Sequence, residues 1–131
     1  GRPRRCGWLD VNLVAYAHRL NGFTAINITK LDVLSGIDEL KIGVSYSYNG
    51  ETLPFGSMSA DLSILDKVTV NYETLPGWKE DLSKLKSAKD LPQNAIAYIE
   101  RIEELCGVPV RWIGIGPGRD QTVEFKPERF E

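Results

Sequence analysis

Histidine occurs once in this chain, at His18, and cysteine twice, at Cys6 and Cys106. A lone histidine excludes a histidine-based metal centre, and two cysteines far apart in sequence match no zinc-ligand spacing. Two isolated cysteines fit free thiols in a reducing compartment, so the cytoplasm is the expected location. His18 falls inside a helical pattern and reads as an ordinary surface or half-buried side chain. No apolar run approaches the roughly 20 residues that cross a bilayer, and no signal-peptide pattern leads the chain, so no membrane partner is expected. The only methionine is Met58; with none at the start, the chain is expected to be a piece of something longer. Positive charge is not in excess either. A net charge of −2 and a pI near 5.5 argue against nucleic acid as a whole-surface partner. The one basic concentration is Arg2, Arg4 and Arg5.

What is present suits one folded domain. A chain of 131 residues buries roughly two thirds of its unfolded surface, and the apolar content is ordinary for a globular protein. Gly1 to Gly7 reads as an irregular basic loop, with Pro3 opposing helix. Asp10 is a helix N-cap, because Leu13, Val14, Ala17 and Leu20 recur behind it at helical spacing and Gly22 offers a C-cap. Phe23 to Thr29 reads as a strand, and Leu34 to Leu40 as a tight turn or single helical turn. Lys41 to Tyr48 alternates apolar and small residues, Asn49-Gly50 is a strong hairpin signal, and Glu51 to Phe55 is a return strand cut short by Pro54. Ser59 to Leu65 is a short helix or long turn. Val68 to Thr74 is a further alternating strand, antiparallel to the first. Lys79 to Asp90 reads as a solvated connection. Pro92 begins a helix with an apolar stripe from Ala95 to Leu105, closed by Gly107. Val108 to Ile115 reads as the final strand, followed by a glycine-rich turn from Gly114 to Asp120 and, beyond Phe125, a frayed tail.

Three stretches carry chemistry. The first is Ala25-Ile26-Asn27-Ile28-Thr29-Lys30-Leu31-Asp32, a short strand running into a polar end. Strand termini are where α/β proteins place ligands. In an extended backbone Lys30 and Asp32, two apart, leave on one face. A carboxylate there can accept both N1–H and N2–H2 of a guanine edge, a donor pair adenine lacks. A lysine stem can lie along the base while its ammonium stays wet. Read alone, the same residues are equally solvated loop charges. The second stretch is the glycine turn, whose Gly114 and Gly116 allow close backbone approach to a flat ligand or serve only as a turn. The third is Arg2-Pro3-Arg4-Arg5, where arginine forks suit a small anionic substrate or a loose basic end.

Four runs sharpen this reading: Gly1-Arg2-Pro3-Arg4-Arg5-Cys6-Gly7-Trp8-Leu9-Asp10, Thr29-Lys30-Leu31-Asp32-Val33-Leu34, Tyr72-Glu73-Thr74-Leu75-Pro76-Gly77-Trp78, and Arg101-Ile102-Glu103-Glu104-Leu105 with Gly107-Val108-Pro109. Together and in this order they resemble the carboxy-terminal portion of the adenylosuccinate synthetases, eukaryotic forms above all, from Gly1 to about Thr122. The resemblance implies an α/β fold, the last part of a P-loop-like GTP-dependent ligase with a mixed sheet, flanking helices and an antiparallel excursion from about Lys41 to Thr74. It implies ligation of IMP to L-aspartate with GTP and Mg2+, through a 6-phosphoryl-IMP intermediate, by a homodimeric enzyme. Lys30 and Asp32 match the family's guanine-recognition motif. Gly114 and Gly116 match the loop on the other side of the base, glycine replacing the serine some members carry at the first position. Arg2 matches an arginine serving aspartate and IMP, and Arg4 one bridging aspartate and the nucleotide phosphates.

The phosphate loop, catalytic aspartate, catalytic histidine and magnesium ligands of the family match nothing in this chain, nor do the two threonines that precede its arginine loop. No catalytic or metal-binding residue is therefore expected within Gly1–Glu131, and the chain alone is expected to be inactive. The rival reading is a non-catalytic guanine-nucleotide-binding or interaction module, which Lys30 and Asp32 alone would permit. The arginine loop and Trp8-Leu9-Asp10 stand against it, since a simple nucleotide switch has no use for them.

Overall fold

The computed structural model describes residues 1–131. Gly1 to Trp8 has no regular structure. Leu9–Asp10 forms strand β1 and Val11–Asn21 helix α1. The Asp10 carboxylate accepts the Leu13 N–H at 3.0 Å, satisfying one of the free donors of the first turn. At the other end Gly22, at φ +64°, donates its N–H to the His18 carbonyl at 2.7 Å, as a left-handed glycine cap does.

Strand β2 spans Ile26–Ile28, shorter than the predicted Phe23–Thr29. Its partner sets the limit: pairing begins where the Ile26 N–H meets the Pro109 carbonyl at 3.0 Å. Strand β3, Glu39–Tyr48, turns at Asn49 and Gly50, which take φ +50° and +79°, the double left-handed pair a tight hairpin needs. The return, β4 at Glu51–Thr52, ends before Pro54, which has no N–H to pair. The single-turn helix α2, Leu62–Leu65, is capped by Asp61. Strand β5, Thr69–Pro76, then pairs antiparallel with β3 from Glu39↔Pro76 to Ser47↔Thr69, so the antiparallel excursion expected from Lys41 to Thr74 is present. Helix α3, Gln93–Cys106, follows Pro92 and stops at Gly107, φ +71°. Strands β6, Val110–Gly114, and β7, Thr122–Glu124, complete the order.

The strands form two mixed sheets. In one, β3 is central: β1 runs parallel along one edge (Leu9↔Ile42) with β4 further along it, and β5 covers the other. In the second, β6 is central, with β2 parallel on one side and β7 antiparallel on the other. The core is continuous across both. It joins Leu40 and Ile42 of the first sheet, Val110 and Ile113 of the second, and Ile99 and Ile102 of α3. Each such side chain contributes roughly 1.5–3 kcal/mol by leaving water.

Three expectations need correction. Lys79 to Asp90 is not a solvated connection. Trp78, Leu82 and Ala88 are buried in the core, so an irregular backbone is anchored by side chains at intervals that no periodicity announces. Val108 to Ile115 does not end the sheet, because β7 returns along it. The tail beyond Phe125 is not frayed: Pro127–Phe130 forms a 3-10 turn. There Arg129 donates to the Glu103 carboxylate at 2.7 Å and to the Val110 carbonyl at 3.0 Å. The Arg111 guanidinium packs on the Trp112 and Phe130 rings, 4.6 and 4.9 Å from their centroids.

Candidate functional site

The carboxyl ends of β2 and β6 lie side by side, Asn27 level with Trp112 and Ile28 with Ile113. Parallel neighbours release their following loops at the same edge, where α/β sheets place ligands. Here those loops are Thr29–Leu34 and Gly114–Asp120.

The first loop is not extended, and the same-face argument for Lys30 and Asp32 fails as stated. The strand stops at Ile28, Lys30 takes the left-handed conformation at φ +59°, and Leu31–Leu34 winds into a 3-10 turn. What aims the motif is Leu31. Its side chain is 1% exposed, an anchor in the core that leaves Lys30 exposed and Asp32 half-buried. A non-glycine residue in the left-handed region costs about 1–3 kcal/mol and marks a conformation held by its surroundings. Trp78 ties down the residues that follow the turn. Its indole N–H donates to Ser35 Oγ at 3.0 Å, and its carbonyl accepts the Gly36 N–H at 2.8 Å. Neither the Lys30 ammonium nor the Asp32 carboxylate enters an ion pair of the chain, so both are free to meet a ligand.

The second loop touches the first through backbone. A Cβ added at Gly114 would lie 3.3 Å from Thr29 Cα and 3.4 Å from the Lys30 nitrogen, closer than most side chains tolerate. Glycine at 116 leaves room of a different kind, since a Cβ there would displace the Gln121 carboxamide. Gln121 was not picked out from the sequence. Its Oε1 accepts the Gly118 N–H at 2.8 Å, its Nε2 donates to the Ser83 carbonyl at 2.9 Å, and its own carbonyl accepts the Ile115 N–H at 2.9 Å. Only its place just beyond the glycine turn could have drawn notice.

The arginine segment runs past the same edge. Gly7, Trp8 and Leu9 share a cleft of about 440 Å3 with Ile26, Thr29 and Lys30. Arg2 and Arg4 are exposed on the unstructured stretch leading into that wall and, like Arg5, join no ion pair. Of the residues singled out from the sequence, the structure brings Gly114 against Lys30; Asp32 and Gly116 lie further along the same two loops, and Arg2 and Arg4 lie on the irregular stretch before Trp8. No group of three or more His, Cys, Asp or Glu side chains is placed to hold a metal ion, and no helix is long and apolar enough to cross a membrane.

Comparison with known proteins gives these loops a context. The family model described as adenylosuccinate synthetase matches residues 1–123. The chain is 56% identical over 124 residues to a chloroplastic adenylosuccinate synthetase 1 of Sorghum bicolor, covering 94% of this chain and 25% of that protein. It is 59% identical over 128 residues to the chloroplastic enzyme of Ostreococcus tauri, covering 97% of this chain and 26% of that one. It also superimposes on the fully ligated adenylosuccinate synthetase of Plasmodium falciparum with a TM-score of 0.90 at 41% identity, over 95% of this chain and 30% of that structure. The chain spans about a quarter of the length of these curated relatives. A family model matching almost from end to end, over a fold superimposing this closely, decides the membership: the chain belongs to the adenylosuccinate synthetase family.

Proposed function

We propose that this chain supplies guanine recognition and the substrate-side arginines of an enzyme that ligates IMP to L-aspartate with GTP. One observation carries the reading: the Gly114 backbone packs directly on that of Thr29 and Lys30, at the carboxyl ends of two parallel strands. That contact brings the two turns together, and we take the space beyond it as a slot, one wall glycine backbone and the other the Lys30–Asp32 turn.

A purine entering it meets chemistry of the right kind on each side. Asp32 accepts the N1–H and N2–H2 of guanine as a paired, charge-assisted contact, worth roughly 1.5–3 kcal/mol. Adenine, lacking that donor pair, leaves the carboxylate unpaired and is rejected. The Lys30 stem lies over the base while its ammonium keeps its water. Gly114 and Gly116 bring backbone close to the opposite face. Arg2 and Arg4 present forked donors to the aspartate carboxylates and the nucleotide phosphates. Any transition-state stabilisation by Arg4 in the complete enzyme would be electrostatic, positive charge meeting charge that develops on the transferred phosphoryl group.

Mg2+, which accompanies GTP in the reaction proposed, finds no ligand cluster among these residues, and none of the steps assigned here passes through it. The same reading makes the complete enzyme a homodimer in a reducing compartment, the cytoplasm by the sequence expectation, and makes this chain alone inactive as a ligase. The compartment fits Cys6 and Cys106, both free thiols.

Calorimetric titration of the chain with GDP, with ADP as control, tests the proposal. Binding of GDP in preference to ADP, with the preference lost in Asp32→Ala, is the expected result. Equal affinity for the two nucleotides, or adenylosuccinate formation by the isolated chain, would overturn it.

A further inference from the structure

We propose that Gln121 is a positioning residue of the guanine slot, setting the shape of the glycine loop that covers the base. The inference rests on the base-recognition reading above and adds to it a group that touches no ligand.

The loop from Ile115 to Asp120 lies between the ends of β6 and β7, and its residues contribute no apolar anchor beyond Ile115 itself, which is fully buried. Glycine at 114, 116 and 118 gives this backbone many alternative conformations. Something must choose among them if the loop is to present one surface to a flat ligand, because ordering it upon binding would weaken affinity. Gln121 makes that choice through three groups. Its backbone carbonyl takes the Ile115 N–H at 2.9 Å and its N–H reaches the Gly118 carbonyl at 3.1 Å, closing the turn. Its side chain then does what backbone pairing cannot. Oε1 accepts the Gly118 N–H at 2.8 Å, while Nε2 donates to the Ser83 carbonyl at 2.9 Å. The carboxamide is thus a two-sided bridge from the loop to the Lys79–Asp90 segment.

That segment is a firm anchor. Leu82, adjoining Ser83, is completely buried in the core. The carboxamide also fills the space against Gly116 that a Cβ would need, so Gln121 and Gly116 fit as a pair. The chain of support runs from core to Ser83 carbonyl, to Gln121, to Gly118 and the loop. Neither an aliphatic side chain nor a carboxylate at 121 could serve both ends, because one end needs an acceptor and the other a donor.

The test uses the 131-residue chain and two variants, with GDP and ADP as probes and a thermal melt confirming that each variant folds. Gln121→Ala removes both contacts. Gln121→Glu keeps the acceptor for Gly118 and loses the donor to Ser83, and it remains informative should the alanine variant not fold. Expected are Gly118 amide exchange about tenfold faster in Gln121→Ala, GDP affinity weaker by roughly fivefold, and intermediate values for Gln121→Glu. Unchanged Gly118 exchange and unchanged GDP affinity in Gln121→Ala would overturn the proposal. So would a Gln121→Glu variant no better than alanine in both measurements. Wild-type chain binding GDP and ADP equally would instead remove the base-recognition reading, and Gly118 exchange would still decide whether Gln121 shapes the loop.

Discussion

Gly114 and Lys30 meet backbone to backbone: the space where a 114 side chain would begin lies 3.4 Å from the Lys30 nitrogen. Two loops eighty-odd residues apart in sequence are therefore in direct contact, and a side chain at 114 cannot be added without moving one of them. Gly114→Ala should force the loops apart by a few tenths of an ångström, lowering stability by about 1 kcal/mol. Gly114→Val should cost more, roughly 2–3 kcal/mol. Chemical denaturation of both variants checks the order, and GDP affinity should fall in the same sequence. Equal stability of wild type and Gly114→Val would show that the contact is not tight.

Lys30 holds a left-handed backbone that suits glycine better than lysine. Lys30→Gly should therefore raise the stability of the chain by about 1 kcal/mol while weakening guanine binding, since the stem proposed to cover the base is gone. Opposite signs for melting temperature and affinity are the signature sought. A variant that loses both would place Lys30 among the groups that hold the fold.

Gly77 offers the harshest test of packing. A Cβ there would overlap the Ile37 carbonyl oxygen. The Gly77 N–H also donates to the Asp38 carbonyl at 2.8 Å, and its own carbonyl accepts from Asn94 at 2.8 Å. Neighbouring backbone cannot step aside as a flexible side chain would. Gly77→Ala should cost on the order of 3 kcal/mol or more, read as a large drop in the denaturation midpoint with unchanged slope.

Alkaline pH should weaken the fold through Tyr46. Burial, reinforced by its hydrogen bond to the Asp10 carboxylate, pushes the phenol up to about 12 from an ordinary value of 10. The folded chain thus holds this proton more tightly than the unfolded one. The resulting stabilisation is complete below pH 10 and is lost as pH rises through 12. Melts between pH 8 and 12 should show the decline, with a shallower slope in Tyr46→Phe, which has no proton to lose. An identical slope would assign the decline to other groups.

The local features of this fold were legible because each depends on neighbours in sequence. Asp10 and Gly22 mark the ends of α1, Asn49-Gly50 marks the hairpin, and the alternation from Lys41 to Tyr48 and Val68 to Thr74 marks two strands that indeed pair. What escaped reading depends on contacts across the chain. The parallel pairing of β1 with β3 leaves only two residues of signal. Leu82 looks like one apolar residue in a charged run until the core closes around it. The candidate site shows the same divide. Lys30, Asp32, Gly114 and Gly116 stood out by type and place, yet Lys30 bends into a turn anchored by buried Leu31 and tied, at Ser35 and Gly36, to Trp78, more than forty residues away. Gln121 acts through a carbonyl of Ser83, and a carbonyl carries no side-chain identity to be read.

Trp78, whose indole N–H donates to Ser35 just past the Lys30 turn, is 3% exposed, whereas Trp8 and Trp112 are 40% and 41% exposed. The chain therefore carries an intrinsic optical probe beside the Thr29–Leu34 loop. Emission from Trp78 arises from a dry, hydrogen-bonded indole, and a water-soluble quencher that dims the other two will leave it lit. A loosening of the Ser35 contact can thus be watched by light alone, with no label attached.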